Sequence, residues 1–217
     1  MKKTSFLFLA FLSLLFSCNK DTFHNTADRV GISKVTYFPV LTVAGDNIMA
    51  VENGTAFTDP GVTAKAGSAD VPVTTSGSVD TNTDGVYSLT YSAVNADGFA
   101  ATTTRTVAVY TTAPDAAAQD LSGTYLRPAT GVNVYWTKIA PGVYVITNPG
   151  GAAAGATLTV VAFNPTGYTV YVPSQRSSDG NTSSTTNETY SPGPPATYSW
   201  VFLNPGYGTS LRTFVKQ

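Results

Sequence analysis

The sequence contains one cysteine, Cys18, and the residues before it indicate what its thiol does. Two basic residues, Lys2 and Lys3, open the chain, and an apolar run from Phe6 to Phe16 follows with Ser13 as its only polar residue. A run of this length suits a secretory signal and is too short to span a bilayer, which takes about 20 residues. This order predicts an exported chain whose thiol lies at the processing site.

The tetrad Leu15-Phe16-Ser17-Cys18 resembles the lipobox of bacterial lipoproteins. The resemblance implies that residues 1–17 are a signal peptide, that the chain is cut after Ser17, and that Cys18 carries acyl chains. Several acyl chains on one residue satisfy the requirement that stable anchoring needs more than one. The alternative is an ordinary signal peptide with an incidental cysteine.

Asn19, Lys20 and Asp21 follow the cysteine, and the acidic residue is not adjacent to it. These residues resemble the start of Bacteroidetes lipoproteins that are exported to the outer membrane and often to the cell surface. The resemblance implies a lipid-anchored outer-membrane protein, on the cell surface or on the periplasmic face. Residues 18–34 are polar and lack periodicity, so we interpret them as a tether that holds the first domain off the membrane.

The remaining groups with catalytic potential are few. The only histidine, His24, lies in the tether, where it lacks the partners of a metal site, and with Cys18 lipidated a histidine-dependent triad is excluded. A glycosidase needs two carboxyl groups about 5–10 Å apart, and after Asp120 only Asp179 and Glu188 remain. Both lie in a polar stretch where acids are normally solvated. We therefore predict no enzyme activity, no metal and no cofactor.

The composition of the chain limits the classes of partner that the protein can bind. The formal net charge is −1, with no basic patch, so we expect no nucleic-acid partner. Charged residues make up 12% of the chain, where about 25% is usual, and Thr, Ser, Gly and Ala take their place. Such a surface suits an extracellular β protein. Because the one cysteine carries lipid, the fold has no internal disulfide and must be stabilised by its β cores.

The pattern from residue 35 to residue 110 is β throughout. Every second residue from Tyr87 to Ala93 shares one face, which is the clearest inside/outside alternation in the chain. Every second residue from Thr103 to Val109 shares a face of the next strand. Pro39 removes a backbone donor, so its strand should be an edge strand or carry a bulge.

The segment Asp84–Leu89 resembles the tyrosine corner of immunoglobulin-like sandwiches, in which a tyrosine hydroxyl bonds back to the chain. Leu89 stands at the position of the second cysteine, so we predict a dry core without a disulfide. Four motifs follow one another in the expected order: Met49–Gly54, Phe57–Val62, Gly85–Tyr91 and Asn95–Gly98. Together they resemble the immunoglobulin-like domain of bacterial surface proteins, a domain of unknown function. The resemblance implies a spacer or interaction module without catalytic residues.

Residues 111–119, which include Pro114 and three consecutive alanines, are interpreted as the linker between two domains. From residue 120 to residue 217, short alternating strands recur between turns without a convincing helix, which indicates a second antiparallel β domain, a small barrel or a sandwich. The stretch from Ser174 to Pro195 is weakly patterned, and we interpret it as a long polar loop. The predicted fold class is all-β, an immunoglobulin-like sandwich followed by this second domain.

The second half resembles the second domain of a group of Bacteroidetes lipoproteins. The matching stretches are Asp120–Tyr125, Lys138–Tyr144, and the segment from Trp200 to Phe214. The tandem order, with the immunoglobulin-like domain first, matches as well. The resemblance implies a context of glycan capture at the outer membrane and no specific reaction.

Aromatic residues of the second half are the candidate ligand contacts, because sugar rings stack on Trp and Tyr faces. Trp136 and Trp200 each lie on an alternating strand, for which core packing is the preferred role. Tyr135 and Tyr171 occupy the opposite faces of their strands, and Tyr207 lies in a turn. Clustered tyrosines on one face or end of the domain would make a binding platform, and scattered tyrosines would not.

We therefore expect a non-catalytic cell-envelope lipoprotein whose first domain is a spacer and whose second domain binds glycan or a partner protein. The alternative is a purely structural accessory subunit that docks on an outer-membrane transporter. A hydrolase is the least favoured hypothesis, because the residues for a reaction centre are missing.

Overall fold

The computed structural model describes residues 29–30 and 33–217. The predicted signal peptide, the lipidation site Cys18 and the tether residue His24 lie outside the described residues. Two short strands, β1 (Arg29–Val30) and β2 (Ser33–Lys34), pair antiparallel at the end of the predicted tether. In the described part of the chain, no helix is long and apolar enough to span a membrane.

Seven strands form the first half of the compact unit Phe38–Gln217. They are β3 (Pro39–Val43), β4 (Ile48–Glu52), β5 (Val62–Ala66), β6 (Ala69–Asp70), β7 (Val73–Ser76), β8 (Gly85–Val94) and β9 (Ala100–Tyr110). One sheet has the order β3-β5-β6, and the other has the order β4-β9-β8-β7 with β4 parallel to β9. This two-sheet arrangement confirms the predicted sandwich, and β3 is an edge strand, as Pro39 predicts.

The alternation in β8 and β9 determines how the sandwich packs. The inward residues of the two strands are buried: Leu89, Tyr91, Ala93, Arg105, Val107 and Val109. Because successive side chains of a strand point to opposite faces, this alternation turns one apolar row of each strand into the core. The tyrosine corner is present, since the Tyr87 hydroxyl donates to the Thr83 carbonyl at 2.8 Å.

The core of the sandwich is not dry, contrary to the prediction. Arg105 is fully buried, and its Nε lies 3.2 Å from Asp59 Oδ1, while Tyr91 donates its hydroxyl to Asp59 Oδ2 at 2.9 Å. The two Nη atoms of Arg105 donate to the backbone carbonyls of Ala44, Asp46 and Gly61. A buried guanidinium is tolerated when its donors are paired in this way. This polar cluster joins β9 to the opposite sheet without a disulfide.

Eight strands form the second half of the unit. They are β10 (Gly123–Arg127), β11 (Val132–Ala140), β12 (Val143–Thr147), β13 (Thr159–Phe163), β14 (Gln175–Arg176), β15 (Thr182–Ser191), β16 (Thr197–Leu203) and β17 (Leu211–Lys216). They make one antiparallel sheet with the order β13-β12-β11-β10-β17-β16-β15-β14. The two edge strands of this sheet are β13 and β14. If they paired, every strand would lie beside its neighbours in sequence and the first strand would lie beside the last, as in an up-and-down barrel. The structure therefore resolves the two predicted alternatives in favour of a nearly closed barrel.

The stretch from Ser174 to Pro195 is not a loop, and that prediction was wrong. Strands β14 and β15 form a hairpin within it, and β15 pairs with β16. Its inward hydroxyl groups are hydrogen-bonded: Ser183 is fully buried, and its Oγ contacts Ser177 Oγ at 2.8 Å and Asn204 Nδ2 at 3.0 Å. A strand with polar residues on both faces lacks the apolar alternation from which strands are predicted.

A side chain bridges the gap between the two ends of the barrel sheet. Gln175 is buried on β14, and its amide accepts from the Val161 N–H at 2.8 Å and donates to the Val161 carbonyl at 2.7 Å. These two bonds occupy the backbone groups that a neighbouring strand would otherwise pair. A main-chain bridge between Phe163 and Tyr171 extends the closure.

Aromatic side chains fill the barrel interior. Tyr125, Tyr144, Tyr198, Trp200, Phe202 and Phe214 are almost fully buried. The polar atoms of this core have partners, since Trp136 Nε1 donates to the Tyr198 hydroxyl at 3.1 Å and Trp200 Nε1 donates to the Pro149 carbonyl at 3.0 Å. Buried Trp and Tyr normally find such partners. The barrel is therefore a packed core rather than a ligand cavity.

The two halves are packed against each other, and we call their shared apolar contact the inter-half cluster. Its buried members are Ala108 of β9, Val143 of β12, and Val161 and Phe163 of β13. The predicted linker includes a short helix, α1 (Pro114–Ala117), and is held to the barrel by Thr112, whose hydroxyl donates to the Pro141 carbonyl at 2.8 Å. The segment between the halves is therefore a packed joint rather than a free tether.

Candidate functional site

The two candidate tryptophans lie in the barrel core. Trp136 is 3% exposed, and Trp200 is fully buried. Their rings are nearly parallel, with centroids 5.9 Å apart and an interplanar angle of 18°. The preferred core role is therefore confirmed, and neither ring is accessible to a ligand in the folded barrel.

The three candidate tyrosines are scattered. Tyr135 is 49% exposed on the outer face of β11. Tyr171 packs edge-on against Phe163 beside the inter-half cluster, with centroids 5.8 Å apart, and burial raises the pKa of its hydroxyl. Tyr207 lies at one end of the barrel, in the turn between β16 and β17. The structure therefore does not bring the predicted aromatics together into one stacking platform.

The two acids that follow Asp120 in the second half are held by different partners. Glu188 accepts a hydrogen bond from the Thr185 hydroxyl within β15. Asp179 lies in the turn between β14 and β15, where Oδ1 accepts from Ser177 Oγ and the Asn181 N–H, and Oδ2 accepts from the side-chain amides of Asn181 and Asn204. Partial burial raises the pKa of Asp179, but these hydrogen bonds outweigh it and hold the pKa well below its ordinary value. Asp179 is thus an ionised structural acceptor.

Three connections meet at this end of the barrel and border an open pocket of about 560 Å³, which we call the barrel-end pocket. They are the β12–β13 connection, the β14–β15 turn and the β16–β17 turn. Its polar side chains are Thr157, Ser178, Asp179, Asn181, Asn204, Tyr207 and Arg212. Because these turns lie at the ends of a rigid sheet, the side chains they present are held in defined positions.

Tyr207 forms one wall of the barrel-end pocket. Its ring meets Phe202 edge-on at a centroid distance of 5.0 Å, and a Cβ on either Gly150 or Gly155 would overlap the ring. The Arg212 guanidinium lies over the ring, 5.5 Å from its centroid. The Tyr207 hydroxyl is buried and has no hydrogen-bond partner among the described residues. Tyr207 therefore acts as a fixed wall that positions Arg212, and its ring is already covered.

Arg212 is the charged group of the pocket, and the motif analysis did not single it out. It is 7% exposed, its Nη atoms reach only the carbonyls of Gly208 and Ser210 at 3.1–3.5 Å, and its Nε has no partner among the described residues. Burial and the nearby Arg127 both lower the pKa of Arg212. The sequence alternation does contain a signal that both arginines face inward. Arg212 lies two residues from the buried Phe214 on the same face of its strand, and Arg127 lies two residues from the buried Tyr125.

The converging groups of the barrel-end pocket have the chemistry of a binding site for a polar ligand. Within the described residues, no group of three or more His, Cys, Asp or Glu side chains is placed to hold a metal ion. The groups that converge are hydrogen-bonding amides, one ionised carboxylate and one buried guanidinium. Such a set can orient a polar ligand through several hydrogen bonds.

Comparison with known proteins shows a similarity in the first half of the chain. The sequence model for the Ig-like domain of bacterial surface proteins matches residues 41–109. Among solved structures, a lipoprotein of Bacteroides thetaiotaomicron is 28% identical, and the match covers 83% of this chain and 100% of that chain with a TM-score of 0.44. No curated protein matches the sequence. The family match fits a protein of the bacterial cell envelope. Over residues 41–109 the chain is therefore similar to the Ig-like domain of bacterial surface proteins.

Proposed function

We propose that this protein is a non-catalytic, lipid-anchored protein of the outer membrane whose barrel binds a glycan in the barrel-end pocket. The observation that carries the proposal is the pocket itself, about 560 Å³ in volume and bordered by three connections at one barrel end. Its volume falls in the range of small-ligand sites, which is about 300–1,000 Å³. The immunoglobulin-like half serves as the spacer between anchor and barrel.

The chemistry of the pocket walls suits a hydroxyl-rich ligand. Asn181 has an exposed side chain with an amide oxygen that no residue of the pocket uses, and Gly206 and Gly208 bring backbone groups to the surface. Sugar hydroxyls both donate and accept, so they can pair with amides and backbone groups together. The small residues Ala152 and Ala154 leave room for a ring to approach.

The state of the acids supports binding without hydrolysis. A glycosidase needs one carboxyl that stays protonated as general acid and a second that acts as base or nucleophile. Asp179 has a lowered pKa and four hydrogen bonds, so it is neither a proton donor nor a free nucleophile. We infer that a bound glycan would be held and not cut.

The test is isothermal titration of the soluble chain lacking residues 1–18 against a panel of neutral and acidic oligosaccharides. We expect saturable binding to at least one member, and Tyr207→Ala should weaken it by removing a pocket wall. The matched control is Tyr135→Ala, which removes an exposed tyrosine from the outer barrel face. No binding to any member would refute glycan binding, and incubation that releases shorter sugars would refute the non-catalytic assignment.

A second candidate function is an accessory subunit that docks on an outer-membrane transporter. An exposed aromatic pair favours it: Phe38 and Phe99 are 59% and 45% exposed, with ring centroids 4.9 Å apart. Val40 and Val94, which are also exposed, add apolar area in the same half. Exposed apolar patches often mark protein contacts. Co-purification of transporter subunits with the wild type but not with Phe99→Ser would support this candidate over the first.

A further inference from the structure

The arginines with buried guanidinium nitrogens in the two halves, of which Arg127 is half-buried as a residue, differ in how their charge is neutralised. In the sandwich core, Arg105 is paired with Asp59 at 3.2 Å. At the barrel end, neither Arg212 nor Arg127 has a carboxylate within 4.0 Å among the described residues, although both have a buried Nε without a hydrogen-bond partner. Buried charges are normally paired, because an isolated one loses its hydration without compensation. The barrel end therefore holds positive charge that the described chain leaves without a counter-ion.

The other charged and titratable groups of the pocket do not supply that counter-ion. Asp179 is committed to Ser177, Asn181 and Asn204 through four hydrogen bonds. Tyr207 is neutral at physiological pH, because burial raises the pKa of its hydroxyl. Arg127 donates to the Gly150 and Gly151 carbonyls at 3.3 Å and adds a second positive charge. The lining of the pocket thus carries one carboxylate, Asp179, and one guanidinium, Arg212, and the charged neighbour that shifts the pKa of Arg212 is the cationic Arg127 beside the lining.

We propose that the barrel-end pocket selects a glycan that carries an acidic group, with a uronic-acid carboxylate received by the Arg212 guanidinium. This inference rests on the proposed glycan-binding function and specifies its ligand class. A guanidinium presents a planar fork of donors that matches a carboxylate, and charge-assisted hydrogen bonds are about twice as strong as neutral ones. The hydroxyl of Tyr207 is a further buried donor without a partner in the same pocket.

The contacts of Arg212 also explain why its guanidinium can bind a carboxylate of the ligand. Cation–π contact with Tyr207 at 5.5 Å and long hydrogen bonds of 3.1–3.5 Å to Gly208 and Ser210 hold Arg212 at the pocket wall. None of these contacts neutralises its charge. A carboxylate entering the pocket would replace the weakest of them and recover the electrostatic energy that burial removes. Lysine at this position would keep the charge but lose the planar fork.

The test compares ligands that differ only in charge. Oligogalacturonates, oligoglucuronates and oligoalginates are titrated into the soluble chain lacking residues 1–18, beside the same oligomers with methyl-esterified carboxyls and beside sulfated oligosaccharides. We expect at least one uronate series to bind about tenfold or more tighter than its methyl ester. Binding of neutral sugars or methyl esters as tightly as uronates overturns this inference and leaves the proposed function standing. Silence of every probe overturns both, and preference for sulfate over carboxylate overturns the uronate assignment.

Two variants locate the effect on the protein. Arg212→Gln should abolish the preference for the free acid over its ester, and Arg212→Lys should retain part of it. The matched control is Arg176→Gln, which removes an exposed arginine that lines a separate cleft. Unchanged acid preference in a folded Arg212→Gln protein would overturn the assignment of Arg212. If that variant does not fold, the ester comparison on the wild type and the Arg212→Lys titration decide the proposal.

Discussion

Arg105 Nε lies 3.2 Å from Asp59 Oδ1 in the interior of the immunoglobulin-like half. Arg105 belongs to β9, whereas Asp59 precedes β5 of the opposite sheet, so the pair connects the two layers of the sandwich. The hydroxyl of Tyr91 is shared between them, since it accepts from Arg105 Nε at 3.3 Å and donates to Asp59 Oδ2 at 2.9 Å. In a domain whose core has no disulfide, this cluster is the specific link between the sheets.

Removing the carboxylate of this pair should destabilise the protein. We expect Asp59→Asn to lower the free energy of unfolding by about 2–3 kcal/mol, because it leaves the fully buried Arg105 without its counter-charge. This cost is smaller than the roughly 3–5 kcal/mol for breaking a fully buried pair, since the Asp59 side chain keeps 27% of its surface exposed. Urea denaturation measures the change.

The control for this prediction is an ion pair with the same chemistry and little burial. Lys65 Nζ lies 2.9 Å from Asp70 Oδ1, and the two side chains are 61% and 86% exposed. Asp70→Asn should therefore change stability by less than about 0.5 kcal/mol. Equal effects of the two substitutions would contradict the importance assigned to burial.

The side chain of Gln175 should stabilise the closure of the barrel. Gln175→Leu keeps the volume but leaves the N–H and the carbonyl of Val161 without partners, so we expect a loss of about 2–3 kcal/mol. Amide hydrogen exchange at Val161 should accelerate in the variant. Gln217→Leu, at the exposed C-terminus, is the control, and an unchanged exchange rate at Val161 in Gln175→Leu would argue against side-chain closure.

Packing around Tyr207 can be tested with glycines of the barrel-end connections. Gly155→Ala places a Cβ in overlap with the Tyr207 hydroxyl, so we expect it to destabilise by about 1–3 kcal/mol. The cost should be smaller in a Tyr207→Phe background, because that substitution removes the overlapped oxygen. Gly208→Ala is the control, since nothing lies within 4 Å of its added Cβ. Equal costs in both backgrounds would exclude the proposed contact.

Acid stability should depend on Asp179. Its pKa is lower in the folded protein than in the unfolded chain, since hydrogen bonds from Ser177, Asn181 and Asn204 outweigh the opposing effect of partial burial. A depressed carboxyl pKa contributes stability above the unfolded value, about 3.9, and this contribution is lost as the pH falls through the folded pKa. Between pH 5 and pH 2 the unfolding free energy should therefore fall less steeply in Asp179→Asn than in the wild type. The same pH dependence of the unfolding free energy in both proteins would contradict the role assigned to Asp179.

Strands were predictable where an apolar row alternates with a polar row. Leu89 and Tyr91 face the sandwich core as their alternation predicts, and so do Val134 and Trp136 in the barrel. Strand β15 was not predicted, because its inward residue Ser183 is held by hydrogen bonds and not by apolar packing. Patterns of hydrophobicity do not register a strand of that kind.

The candidate site was harder to predict than the fold, because its contacts join distant parts of the chain. Tyr207 was identified as a turn residue, but its wall position depends on Gly150 and Gly155 of another connection. Arg212 lies two residues before the buried Phe214 on the same strand, so the alternation predicts that its side chain faces inward. Nothing local indicates that an inward arginine lacks a carboxylate partner. That fact emerges only when the surrounding connections are in place.

The inter-half cluster implies that the two halves unfold together. Ala108 of the sandwich is fully buried, and it packs beside Val143 and Phe163 of the barrel. Both tryptophans lie in the barrel, so their fluorescence reports that half alone, whereas calorimetry reports both. In the wild type the two methods should give coincident transitions, as a cooperative unit requires.

Ala108→Asp should separate these transitions. A carboxylate at this buried position has no partner, so the halves should lose their contact, and the sandwich should unfold apart from the barrel. Calorimetry should then show two transitions, of which tryptophan fluorescence follows one. Ala100→Asp makes the same substitution at an exposed position of the same strand and should retain a single transition. A single coincident transition in folded Ala108→Asp would mean that the halves are coupled by the joint alone, since the apolar contact would have been shown to be dispensable.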